Sequence, residues 1–221
     1  MLFRSIRPIV ERALRDGRRD DWPLVTLNLD FKTEEPAHLA AVRSLLNEYR
    51  QWLTTAARRA SIDDVQALRV GPVLVLAGES DNQRRAFHDA VAVGDPLLAF
   101  GAVHGGGHRT NYHRWSNNAW RVVEPAGQNH AGPWTADAES RLRALVRAAH
   151  DDGLWIRFYT LNGHDPRDVS GGWTPGYNFG SEDAARERWR AAIRAGVDFV
   201  AIDQYELFSA TLKNMRPRQG A

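Results

Sequence analysis

The sequence predicts an α/β fold: a partial (β/α)8 barrel with about five parallel strands, its first strands missing, and all of 1–221 forming one incomplete domain. Three observations lead there. Strand and helix patterns alternate with no hairpin signal between strands, which demands parallel strands joined by crossovers. The first strand pattern, 23–32, alternates strictly, with Val25, Leu27, Leu29 and Phe31 one way and Thr26, Asn28, Asp30 and Lys32 the other. That polar face would be costly beneath the helix layer of an open sheet, whereas a barrel mouth can use it. The long, chemically varied stretches also follow the strand patterns, as barrel active sites require. A full barrel takes eight units and typically about 250 residues. With five units in 221 residues and a helix at the start, three units are expected to be absent on the N-terminal side.

Each element follows from local pattern. Ile6, Ile9, Val10 and Leu14 recur at helical spacing and Gly17 is a stop. After the first strand, Glu34, Glu35 and Pro36 open a helix expected to run to about Thr54. Val73–Leu76 reads as a short buried strand, and Ser80 and Asp81 cap a helix through about Ala90. Leu97–Val103 is the third strand, emptying into a long loop rich in Gly, His, Asn and Trp. Thr135 caps an amphipathic helix carrying Leu142, Leu145, Val146 and Ala149 that stops at Gly153. Leu154–Leu161 is the fourth strand. Ser181 caps a helix ending near Gly196, Asp198–Asp203 is the fifth strand, and Tyr205–Met215 is a closing helix.

Composition narrows the function classes. Cysteine is absent, which removes thiolate catalysis, disulfides and zinc–thiolate sites. The net charge is +2 with no long basic stripe, so nucleic acid is not an expected partner. No apolar run approaches the roughly 20 residues of a membrane span, and the first residues carry charges where a signal peptide needs an apolar stretch. Lys32 and Lys213 are the only lysines, so arginine supplies the rest of the 29 basic residues.

That scarcity singles out Lys32. It shares a strand face with Asp30, close enough for a carboxylate to hold a cation while an ammonium meets phosphate. Asn28, one step deeper, is placed to orient Asp30. Glu79 follows a strand and is expected at the same mouth as a second acid, or as a first-turn acid favouring the helix dipole. Asp30 with Glu79 also suits a glycoside-hydrolase carboxylate pair, an alternative that eight tryptophans would serve by stacking on sugar.

Arg157 and Tyr159 alternate with Ile156 and Phe158, placing the first pair in the barrel interior, where a buried arginine needs an anion from substrate, Asp203 or Glu79. Asn162 and His164 open the following loop. Asp198 and Asp203 read as loop caps. His104, His108 and His113 flank a glycine run that reads as a solvated loop rather than a metal site, with Trp115 and Trp120 packing as a lid.

Asp30-x-Lys32, the Tyr159-Thr160-x-Asn162 run and the Gly196, Asp198 and Asp203 pattern together resemble the glycerophosphodiester phosphodiesterase and phosphatidylinositol-specific phospholipase C-like superfamily. The resemblance implies a metal-dependent phosphoric diester hydrolase acting on a small phosphodiester or lipid headgroup of the glycerophosphodiester or phosphoinositide kind. It implies a divalent cation, Ca or Mg, held with the help of Asp30. Lys32 and Arg157 would meet the phosphate in the catalytic role, with Asn28, Glu79, Tyr159 and Asn162 binding substrate. The family's two acid–base histidines and its Glu-x-Asp metal pair have no counterpart in this stretch, so the chain alone is expected to be inactive, or to be a non-catalytic interaction module. Members of the superfamily are often secreted or periplasmic. Strand edges at 24–31 and 198–203 are expected to lack partners and to favour oligomers.

Overall fold

The computed structural model describes residues 2–17, 25–103, 107–127, 132–165, 167 and 177–215. The chain divides into two compact units, Met1–Trp115 and Ser116–Ala221.

The first unit begins with helix α1 (Leu2–Asp16), strand β1 (Val25–Asn28) and helix α2 (Pro36–Glu48). A 3-10 turn (Arg50–Trp52) leads to β2 (Ala56–Ala57) and β3 (Val73–Ala77). Helix α3 (Asp81–Arg84) continues as a π turn (Arg85–Asp89), before β4 (Pro96–Leu97) and β5 (Phe100–Val103). β1 pairs with β3 and β3 with β5, both parallel. β6 (His113–Ala119) crosses from the first unit into the second.

The second unit continues with α4 (Ala136–Asp151), β7 (Trp155–Tyr159), α5 (Glu182–Ala195), β8 (Phe199–Val200) and α6 (Tyr205–Met215). β7 and β8 are parallel. The main sheet has the order β1-β3-β5-β6-β7-β8 and is flanked by helices, an α/β fold of the partial TIM-barrel type. β1 and β8 stand at the two ends of that order.

Register decides which way β1 faces. Leu27 lies beside Val75 and Asn28 beside Leu76. Leu27, Val73, Val75 and Ala77 are buried in one core with Leu39 and Leu46 of α2 and Val10 of α1, and Val25, Leu29 and Phe31 pack against it. Since side chains alternate across a strand, Thr26 and Asn28 project from the face turned away from those helices. The run Val73-Leu-Val-Leu-Ala is buried at every position, as a strand covered on both faces should be. Tyr112 is fully buried against Gly101, where any Cβ would lie 2.3 Å from the ring.

Helix caps in the second unit match the sequence reading. Thr135 accepts the Ala138 N–H, Ser181 accepts the Ala184 N–H, and Gly196 ends α5 in the left-handed region at φ 82°. Its core holds Trp120, Leu142, Phe158 and Trp189, with Trp120 edge-on to Phe158 at 5.4 Å. Buried in the same unit, Arg188 forks onto Glu124 at 2.7 and 3.0 Å, and the Trp120 indole N–H donates to the same carboxylate.

Several elements differ from expectation. The helix expected to reach Thr54 ends at Glu48, followed by the 3-10 turn. The strand expected at 97–103 is broken: Pro96–Leu97 pairs antiparallel with Ala56–Ala57, and only Phe100–Val103 joins the main sheet. The segment read as a loop after Val103 contains β6, so the main sheet has six strands rather than five. The sequence His113-Arg-Trp-Ser-Asn-Asn-Ala hides it, because Asn and Ser disfavour strands and the apolar alternation is thin. Trp115 and Trp120 are core residues rather than a lid. The Trp115 indole N–H is shared between the Ala77 and Phe100 carbonyls at 3.0 and 3.1 Å.

Candidate functional site

Two groups of candidate residues occupy the C-terminal ends of strands, one in each unit. In the first unit the chain leaves β1 in extended form, with the Leu29 N–H still bonded to Leu76 O at 2.8 Å. Asp30 and Lys32 lie just beyond, on the polar alternation that Asn28 begins. The Lys32 ammonium donates to the Asp30 carboxylate at 2.6 Å, and both side chains are open to solvent, 84% and 71% exposed. Glu79 is exposed at the end of neighbouring β3, two residues past Ala77.

Glu34 ties these two strand ends together, a role the sequence reading missed by treating it as a helix-opening acid. Ser80 Oγ donates to one Glu34 oxygen at 2.6 Å and Gln83 Nε2 to the other at 2.8 Å. Ser80 Oγ also accepts the N–H groups of Asn82 and Gln83, and the Gly78 N–H donates to Gln83 Oε1 at 2.6 Å. Hydrogen bonds from Ser80 and Gln83 hold the Glu34 carboxyl below the ordinary carboxylate range. The loop carrying Asp30 and Lys32 is thereby stapled to the loop carrying Glu79. The sequence offers no local signal for this, because Ser80 and Gln83 lie 46 and 49 residues further along the chain.

In the second unit β7 alternates as expected, with Ile156 and Phe158 buried and Arg157 and Tyr159 partly exposed. Arg157 donates to Asn117 Oδ1 of β6 at 2.7 Å, and its guanidinium lies 5.5 Å from the Tyr159 ring centre. Arg157 and Tyr159 are therefore together, with Asn117 bonded to Arg157; the sequence places Asn117 in a loop, whereas it lies on β6.

Asn162 is buried, and its side-chain amide is paired with Asp203. Its amide donates to Asp203 Oδ2 at 2.7 Å and accepts the Asp203 N–H at 2.9 Å. The residue between these features, Thr160, has φ 70°, a conformation strained for a β-branched side chain. Its hydroxyl accepts the Trp120 N–H and donates to the Tyr159 carbonyl. Asp198 accepts the Ile156 N–H at 2.8 Å and contacts His150 at 3.0 Å.

His108 and His113, the described histidines flanking the glycine run, have separate partners. His104 lies outside the described residues. His108 is exposed, 3.5 Å from Asp63, while His113 opens β6 with Nδ1 3.1 Å from the Thr110 hydroxyl. Burial lowers the His113 pKa, helped by the positive field of Arg84. Among the described residues no group of three or more His, Cys, Asp and Glu is placed to hold a metal ion. The Asp30 carboxylate is already engaged by Lys32, so the residues present do not by themselves fit the expected divalent cation.

Scans against protein-family models and against curated proteins find no match. Among solved structures the chain is similar to a glycerophosphoryl diester phosphodiesterase from Parabacteroides distasonis, with 13% identity and a TM-score of 0.43. The alignment covers 96% of this chain and 57% of that one, so the chain spans a little over half the length of that enzyme.

Proposed function

We propose that the chain is the phosphodiester-recognising portion of a metal-dependent phosphoric diester hydrolase acting on a glycerophosphodiester or phosphoinositide-like headgroup. One observation carries this reading: β1 keeps its apolar side on the helix-packed core and turns Asn28 away from it, with an exposed acid and ammonium 2.6 Å apart beyond the strand end. The C-terminal ends of strands are where barrels do chemistry. An ammonium there offers a compact charge to a phosphate oxygen. Lys32 binds the phosphoryl group, Asn28 and Glu79 bind neighbouring hydroxyls of the headgroup, and Arg157 with Tyr159 supplies a second anion-binding surface of the same chemistry. Asn162 acts by holding the Asp203 loop.

The divalent cation would need ligands beyond Asp30. Acid–base catalysis needs a histidine or equivalent within reach of the leaving oxygen. The first histidine, His38, lies on α2 and packs edge-on to Phe31 at 6.0 Å, so the chain alone is expected to bind without turnover.

Titration of the chain with glycerophosphocholine, followed by calorimetry, tests the reading. Saturable binding that weakens roughly tenfold or more in Lys32→Ala is expected, from loss of one charge-assisted contact. Binding that is absent, or unchanged in both Lys32→Ala and Asp30→Ala, would overturn it.

A further inference from the structure

The π turn at Arg85–Asp89 has a consequence on the outer side of the first unit. The Ala90 N–H reaches back five residues to Arg85 O at 2.9 Å, and the Val91 N–H goes to His88 O at 3.0 Å. The N–H groups that would serve the Ala86 carbonyl in a regular helix are spent elsewhere. Arg43 of α2 takes their place: its Nη1 donates to Ala86 O at 3.2 Å and to Ala90 O at 2.9 Å.

Two carbonyls on one nitrogen fix the guanidinium plane. The opposite edge, Nε and Nη2, meets no protein acceptor among the described residues. That edge is two parallel N–H donors with the spacing of a carboxylate or phosphate oxygen pair.

The same arginine lines two adjoining cavities between α2 and the π turn, of about 290 and 460 Å³. Small side chains, Ala40 and Ala90, line both and keep the cleft open, while Leu39 and Ala86 give the smaller one an apolar wall. Arg85 stands at the edge of the smaller cavity and Arg50 at the edge of the larger. Glu34 in the smaller is committed to Ser80 and Gln83, leaving Asp95 as the acid of the larger.

We propose that this cleft binds a small organic anion, a carboxylate or phosphate monoester with a short apolar body, gripped by the free edge of the Arg43 guanidinium. The apolar body lies along Leu39, Ala40 and Ala86, and the anionic head takes both N–H groups of the fork. The site is separate from the strand-end residues assigned to phosphodiester recognition.

The test titrates the whole chain with octanoate and octyl phosphate, using 1-octanol as the uncharged control, read by calorimetry and by the NMR shift of arginine Nε–H groups. Both anions should bind saturably and tighter than octanol. Arg43→Lys, which keeps the charge and loses the fork, should weaken binding roughly 10- to 100-fold. Because Arg43 also holds the π turn, Ala40→Phe provides an independent block: it fills the cleft from α2 and should abolish binding with the thermal midpoint retained. Lys32→Ala should leave octanoate binding unchanged. Equal affinity for octanol, binding that survives Ala40→Phe, binding undiminished in Arg43→Lys, or a loss in Lys32→Ala would each overturn the proposal.

Discussion

Two ion pairs, one in each unit, show how differently the fold uses charge. Asp30 and Lys32 meet at 2.6 Å with both side chains in solvent. Arg188 and Glu124 meet at 2.7 Å with 1% and 12% of their side chains exposed. The exposed pair is screened and contributes on the order of 0–1 kcal/mol, so stability does not explain why one of only two lysines stands there. The buried pair is a structural unit. Its guanidinium also donates to Gly132 O at 2.6 Å and lies 5.2 Å from the Phe179 ring centre, while its carboxylate takes the Trp120 N–H at 2.7 Å. Nη1 donates to Ala184 O at 3.3 Å and to Glu187 at 3.2 Å, so every guanidinium nitrogen and both carboxylate oxygens have partners, the condition under which a desolvated pair survives. The same chemical pairing is available to a ligand in one place and closed to it in the other.

The sharpest way to break this contrast is to remove one member of each pair. Arg188→Ala strands the Glu124 carboxylate in the core of its unit and should cost about 3–5 kcal/mol in denaturant unfolding. A loss below about 1 kcal/mol would mean that Glu124 relaxes into water and that the pair is not structural. Replacing Glu34 by Ala comes next. It frees Ser80 and Gln83 and unties the loops after β1 and β3, for about 1–2 kcal/mol, and it should weaken phosphodiester binding although Glu34 itself touches no ligand.

Acid should act in two steps of decreasing pH. The folded His113 pKa lies below its ordinary 6.5, so the unfolded chain takes the proton first, and stability falls as pH drops below 6.5 through the folded value. Glu34 is likewise lowered, from 4.5, so its contribution is present above that value and is lost as pH falls through the folded pKa. His113→Gln should flatten the first step of an unfolding-versus-pH curve and Glu34→Gln the second. The smallest effect belongs to the exposed pair: Lys32→Ala should change stability by less than about 1 kcal/mol. A larger loss would make the pair a structural contact and remove its claim to a ligand.

Much of the fold was legible in the sequence because it depends on local pattern. The alternation in 25–31 gives β1 its two faces, and the Ser181 and Thr135 caps mark where α5 and α4 begin. β6 was not legible, since its polar residues are satisfied by neighbours that only the folded sheet supplies, as Asn117 is by Arg157. The π turn was equally hidden: a five-residue ladder differs from a four-residue one by hydrogen bonds, and Asp81–Asp89 carries no glycine or proline to announce it. Of the candidate site, residue identity and strand-end position could be read directly. What each side chain is already bonded to could not. That is why Asn162 proved to be engaged with Asp203, and why Glu34 passed unnoticed.

Thr160 offers a warning for mutational surveys of this chain. Its torsion, at φ 70°, carries a penalty of about 1–3 kcal/mol, while its hydroxyl ties the start of a turn at Trp120 to the end of β7. Glycine there would relax the torsion and delete the tether at once. Two sizeable and opposed effects would then sum to near zero, and a position under heavy constraint would score as tolerant. Serine and alanine, measured side by side with glycine, are needed to separate the two.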